Sequence, residues 1–197
     1  MTDAIKISKL TKKFGNFKLG PLDLKVKKGA ITGFIGENGA GKSTTIKLIL
    51  DVLGRDGGLV DIFDKDIRDL SVDERYKIGF VFDDLFLPDS MKVFEIEKMH
   101  SLLYKGYWEK ETFYEFVENF SLPTDIPISA FSRGMKMKLG LALAMSHRAE
   151  ILILDEPTSG LDPVVRDDFL DILLDFIQDE SHTVLISSHI LSDLEKI

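Results

Sequence analysis

The sequence predicts an α/β fold in which helices lie against a mostly parallel sheet, with a helical lobe set into the middle of the chain. Three observations predict it. Short apolar runs at residues 31–35, 151–154 and 183–187 read as buried strands. The chain opens and closes on strand–helix alternation, which implies a parallel sheet covered by helices. Between these parts the periodicity is helical only, and prolines at 88, 123 and 127 punctuate it.

In chain order, residues 4–7 and 22–26 read as short strands, with Lys27-Lys28-Gly29 as a turn. The strand at 31–35 runs into glycine. A helix follows over 42–53, because Ile46, Ile49, Leu50 and Leu53 share one face and Gly54 stops it. Residues 59–63 and 78–82 are further strands. Residues 93–103 and 111–120 are helical by spacing, and Phe113, Phe116, Val117 and Phe120 form one stripe. A third helix is expected from near Ser132 to about His147. The α/β core is therefore placed at 1–84 and 148–197, with the helical part at about 85–147. After the strand at 151–154, Asp162-Pro163 marks a helix start, with aspartate as cap and proline in the first turn. That helix turns Val165, Phe169, Ile172, Leu173, Phe176 and Ile177 inward. Ile190, Leu191, Leu194 and Ile197 continue a helical pattern to the last residue, so the C-terminus reads as truncated.

Composition narrows the function. The chain has 197 residues and a net charge of −8, with no cysteine. Absent thiols exclude disulfides and thiolate metal sites. An acidic balance lacks the basic footprint of a nucleic-acid-binding domain, and no nucleic-acid partner is expected. It also argues against direct attachment to an anionic membrane surface. No stretch approaches the ~18 apolar residues of a membrane-spanning helix, and the N-terminus lacks a secretory pattern. A cytosolic location is expected.

Two motifs carry chemistry. Gly36-Glu37-Asn38-Gly39-Ala40-Gly41-Lys42-Ser43-Thr44 fits G-x-x-x-x-G-K-[ST] between an expected strand and an expected helix. The glycines let several backbone N–H groups face one point, and the helix N-terminus adds positive potential. Lys42 then reaches the β- and γ-phosphates, and Ser43 offers a hydroxyl to Mg²⁺. The second motif is Asp155-Glu156, at the carboxyl end of the apolar strand, where α/β sheets place ligands. Asp155 can hold Mg²⁺, and Glu156 can polarise the attacking water. Two adjacent acids after a buried strand need a cation or hydrogen bonds. An exposed acidic turn before Pro157 is the other reading of the pair, and the P-loop in the same chain favours metal.

These two motifs describe a P-loop nucleoside triphosphatase. Further segments resemble the ATP-binding-cassette ATPases. Phe131-Ser132-Arg133-Gly134-Met135-Lys136 is similar to their signature, usually Leu-Ser-Gly-Gly-Gln. Asp155-Glu-Pro-Thr-Ser-Gly-Leu-Asp162 is similar to their Walker B and D-loop. His189 resembles their switch histidine, and Phe14 stands where they place an aromatic under adenine. The resemblance spans nearly the whole chain. It implies a RecA-like core, an antiparallel β portion near the N-terminus, and an inserted helical subdomain. It also implies ATP and Mg²⁺, a second nucleotide-binding domain as homo- or heterodimer partner, and a transmembrane permease that would hold the protein at the inner face of the membrane. Ser132, Gly134 and Asp162 would meet ATP held by the partner domain. Glu156 would be general base, and His189 would steady the water at the γ-phosphate.

The sequence departs from that pattern in places. Arg133 replaces glycine and Met135 replaces glutamine. Ser-x-Gly-Met sequences resemble those of ABC-2 type exporters. The Q-loop glutamine, a Mg²⁺ contact in the family, corresponds to Asp83 or its neighbour Asp84. An alternative function is a cassette ATPase without a permease. A P-loop kinase or GTPase leaves Ser132–Met135, the D-loop and His189 unexplained together.

Overall fold

The computed structural model describes residues 2–190. The expected helical pattern at Leu191, Leu194 and Ile197 lies outside the described residues.

Two sheets form the core. In the first, strands β1 (Asp3–Phe14) and β2 (Phe17–Lys27) make a long hairpin, extended by β4 (Gly57–Ile62) and the short β5 (Lys65–Asp66). Its order is β2-β1-β4-β5, antiparallel throughout. The second joins β3 (Ile31–Ile35), β6 (Ile78–Val81), β7 (Ile151–Asp155) and β8 (Thr183–Ser188) in the order β3-β8-β7-β6, all parallel. Both architectures match the expectation: antiparallel near the N-terminus, parallel in the nucleotide core.

Helix α1 (Lys42–Ile49) lies between the sheets. Ile46, Leu48 and Ile49 join Ile5, Ile7, Val60 and Ile62 of the first sheet and Ile153 and Leu185 of the second in one apolar cluster. The helix ends earlier than its periodicity suggests. Leu50 caps it and Asp51 turns into the left-handed region (φ 53°), well before Gly54. A five-residue helix, α2 (Val72–Tyr76), precedes β6. Ser71 and Glu74 form its capping box.

The helical lobe comprises α3 (Val93–Tyr104) and α4 (Lys110–Asn119), and α5 (Arg133–Met145) borders it. Val93, Ile96, Phe113, Val117 and Phe131 make a separate apolar cluster with Leu139, Ala142 and Leu143 of α5. The other face of α5 sends Met137, Leu141 and Ala144 into a cluster with Val81, Leu152, Leu154 and α6 (Pro163–Phe176). Helix α5 is thus shared between lobe and sheet.

Strand β7 positions the chemistry. All five of its residues are buried. Fully burying an Ile or Leu side chain stabilises by ~1.5–3 kcal/mol, so Ile151 to Leu154 anchor the acidic residue that follows them.

Candidate functional site

The loop between β3 and α1 turns back on itself. The Ala40 N–H donates to the Glu37 carbonyl at 3.2 Å, and Thr45 N–H donates to the Gly41 carbonyl at 2.8 Å. Gly41 has φ 96°, and a Cβ there would lie 2.5 Å from Leu19 Cδ1 of β2. Only glycine combines that backbone with that approach. The turn leaves the N-terminus of α1, with no acidic residue in its first turn, facing a cavity of about 500 Å³. Phe17, Asn38, Gly39, Gly41, Lys42, Ser43, Thr44, Asp83, Glu156 and Ser159 line it. A helix start of this kind with several free N–H groups suits a polyphosphate.

Lys42 is buried in this turn. Its ammonium donates to the carbonyls of Gly36 (2.6 Å) and Glu37 (3.0 Å), and lies 2.9 Å from Glu156 Oε1. Glu156 follows β7 at φ 51°, a left-handed conformation rare for a non-glycine residue and typical of functional positions. That twist aims the carboxylate across the cavity at Lys42. Its other oxygen, Oε2, meets His189 Nδ1 at 2.7 Å. Lys42, Glu156 and His189 therefore form one continuous line. Burial acts to raise the Glu156 pKa, but Lys42 and then His189 outweigh it, so the carboxylate sits below its usual range. Oε1 is buried and its close partner is the Lys42 ammonium, two of whose three N–H groups go to the Gly36 and Glu37 carbonyls.

Ser187 sets both acids. Its register partner on β7 is Asp155. The Ser187 hydroxyl donates to Asp155 Oδ1 at 2.8 Å and accepts from the Glu156 N–H at 2.9 Å. Asp155 is buried, so this bond partly meets the desolvation cost that the sequence exposed.

Ser132 caps α5, its hydroxyl accepting from the Met135 N–H at 3.2 Å. Gly134 fits against α6: a Cβ there would come within 3.0 Å of Val165 Cγ1. Asp162 caps α6 by accepting from Val164 and Val165 N–H groups, both at 3.1 Å. Arg133 reaches back to the core and pairs with Asp83. Burial is the largest influence on Asp83 and raises its pKa. Arg133 opposes this, while Asp84, Asp155 and Glu156 add to it.

The structure thus places Asn38, Gly39, Gly41 to Thr44, Asp83 and Glu156 around one cavity. Gly36, Glu37 and Ala40 belong to the same turn through Lys42 and the Ala40–Glu37 bond, while His189 joins through Glu156 and Asp155 through Ser187, neither of them among the lining residues. The structure holds Ser132, Gly134 and Asp162 at the starts of two adjacent helices. Phe14 is half-exposed under the Lys12 ammonium (5.6 Å from the ring centroid) and is not among the residues lining the cavity. Its cross-strand partner Phe17 lines it instead. Sequence reasoning missed Phe17, Ser159 and Ser187. Phe17 and Leu19 share one face of β2, two residues apart, which is the signal that would have found the first.

A family model described as ABC transporter matches residues 19–159, the stretch that supplies most of this cavity. The bacitracin transport ATP-binding protein BcrA of Bacillus licheniformis is 34% identical over the whole chain, and the chain spans 65% of that relative, just under two thirds of its length. The lantibiotic transport ATP-binding protein SrtF of Streptococcus pyogenes is 33% identical across 98% of the chain and 83% of SrtF. Among solved structures, an ATP-binding cassette in a dimeric post-hydrolysis state, bound to ADP and Pi, superposes with a TM-score of 0.79. It is 25% identical, covering 96% of this chain and 89% of that one. The family match and the relative SrtF agree on one assignment, and the chain belongs to the ABC transporter family.

Proposed function

We propose that this chain is the ATP-hydrolysing subunit of a membrane transporter, of the exporter kind that its Ser-x-Gly-Met signature resembles. The observation that carries this reading is the convergence of Lys42 and Glu156 in the cavity under the N-terminus of α1. Phosphates entering there replace Glu156 as the counter-charge of Lys42. The freed Oε1 then accepts a proton from the attacking water, and His189 holds the carboxylate's other oxygen in place. A positioned general base contributes ~10²–10⁴ in rate.

The donor set suits Mg²⁺ carried in with the nucleotide. Ser43 lines the cavity and Asp155 stands at the buried strand end, both hard oxygen donors. Among the described residues no group of three His, Asp or Glu side chains could hold an ion alone. That fits a cation which keeps waters and phosphate oxygens in its shell. Such an ion neutralises phosphate charge. Asp83 would join it only after leaving Arg133.

Ser132 and Asp162 sit exposed at helix starts, away from the chain's own Lys42 cavity lining. Our reading is that they meet nucleotide held by a second copy or a related domain, so that ATP is sandwiched between two protomers. No helix among the described residues is long and apolar enough to cross a membrane. In this reading, which rests on the family, a permease holds the subunit at the cytoplasmic face. The groove beside the Asp83 loop, where Phe86 is largely exposed, is the surface we assign to it. The names of BcrA and SrtF speak of bacitracin and lantibiotic transport, and compounds of those kinds are the first substrates to try. Two measurements test the reading: ATPase activity per molecule against protein concentration, and co-purification from native membranes. Activity that rises with concentration and a co-purifying multi-helix membrane protein support it. Activity constant on dilution, or a native protein recovered without any membrane partner, overturns the dimer or the transport assignment respectively.

A further inference from the structure

Two residues that depart from the family pattern meet each other in space. Asp83 stands where glutamine is usual, Arg133 where glycine is usual, and they are 50 positions apart. Asp83 lines the nucleotide cavity and also the groove between core and lobe, where Arg133, Lys136 and Asp89 are its neighbours. The Arg133 stem lies over Gly160 of the segment after β7: a Cβ at Gly160 would be 3.5 Å from both Cδ and Nε. One side chain, next to the Ser132 cap, therefore touches the loop after β6 and the turn after β7.

We propose that Asp83 and Arg133 are a matched pair of positioning residues, an intrasubunit latch that holds the Ser132–Gly134 turn of the lobe in register with the nucleotide cavity of the core. The physical need is charge. Asp83 faces a cavity that also contains Glu156 and, nearby, Asp84 and Asp155. A lone carboxylate there repels incoming phosphate, and a lone guanidinium at the start of α5 loses its anchor on the core. Glutamine with glycine leaves neither problem, and aspartate with arginine cancels both. Each departure is tolerable only beside the other.

The test does not depend on the ATPase reading. The sequence has no cysteine, so cysteines placed at exposed Asp69 of the core and Glu118 of the lobe carry the only two spin labels. Pulsed dipolar spectroscopy on the nucleotide-free protein then gives the core–lobe distance distribution. Asp83→Gln and Arg133→Gly should each broaden it. The double variant should be no broader than either single, and the charge swap Asp83→Arg with Arg133→Asp should restore the narrow distribution. ATP binding and turnover on the same samples report the nucleotide reading separately. There the coupling between the two single changes should be about two- to fivefold, the range for a half-exposed ion pair. Single variants indistinguishable from the parent, or a charge swap as broad as the singles, would overturn the latch whatever the activity.

Discussion

Replacing Glu156 with glutamine separates three quantities that the site ties together. In the nucleotide-free protein the carboxylate neutralises a Lys42 that is only 6% exposed, at 2.9 Å, and is itself 13% exposed. Breaking a buried pair by removing one charge costs ~3–5 kcal/mol when nothing replaces it. Here Lys42 keeps its bonds to the Gly36 and Glu37 carbonyls, and the glutamine carbonyl remains a weaker acceptor. The expected loss is therefore ~1–3 kcal/mol, near the cost of one imperfectly satisfied buried group. For a domain of this size that lowers Tm by roughly 2–12 °C. ATP reverses the deficit, because its phosphates supply the missing negative charge without first displacing Glu156. The variant's Tm should rise more on adding ATP than the parent's rises with a non-hydrolysable analogue. Turnover should fall by ~10²–10⁴. Differential scanning fluorimetry with and without nucleotide, beside a phosphate-release assay, reads all three. A variant with parental apo stability and a parental nucleotide shift would refute the claim that Glu156 and phosphate compete for Lys42.

Ser132→Glu gives up the short capping hydroxyl of α5 but leaves a negative charge where the helix dipole favours one, and in the proposed dimer it sets an anion against the phosphate that the partner would hold. Monomer ATP binding should persist while hydrolysis drops by ~10²–10³, the scale of one lost electrostatic donor; equilibrium binding at low protein concentration checks the first half. Gly41→Ala forces a left-handed alanine costing ~1–2 kcal/mol and pushes Leu19 away, so nucleotide affinity and Tm should both fall. His147, buried and stacked on Tyr104 with ring centroids 4.1 Å apart, has its pKa lowered by burial to about 4. The folded protein thus stays neutral there while the unfolded chain takes a proton. Stability should decline as pH falls from about 6.5 towards 4, by about 3 kcal/mol in all. His100, lowered by burial as well, acts in the same direction. Urea denaturation at pH 7.5 and 5, with His147→Phe flattening the slope, measures it.

What the sequence discloses depends on how local the cause is. The phosphate loop, β7 and the cap at Asp162 were legible because glycine freedom, apolar runs and capping oxygens act within a few residues. Strands β1 and β2 are far longer than their apolar patterns suggest. A register shift between Ile7 and Leu10, with Lys9 at φ 49°, breaks the alternation by which such strands are recognised. Helix α2 escaped notice because its five residues bury none of their side chains, although Ser71-x-x-Glu74 announces its start. Phe17 was hidden behind Phe14, since the hairpin decides which ring faces the cavity. The contact of Asp83 with Arg133 is beyond any local pattern. Each residue alone looked like a lapse from the family motif, and only the fold brings them together.

Helix α5 is close-packed on opposite sides at once, with Gly140 so tight against β6 and the loop after it that a Cβ would fall 2.9 Å from Val81 Cγ1 and 2.8 Å from Leu85 Cδ2. Such an element transmits displacement instead of absorbing it. A push on the groove near Phe86 would travel along this rod as rigid motion and emerge at Ser132, the exposed end that we assign to a neighbouring protomer. The same stiffness runs backwards, so whatever seats itself on Ser132 is felt at the groove.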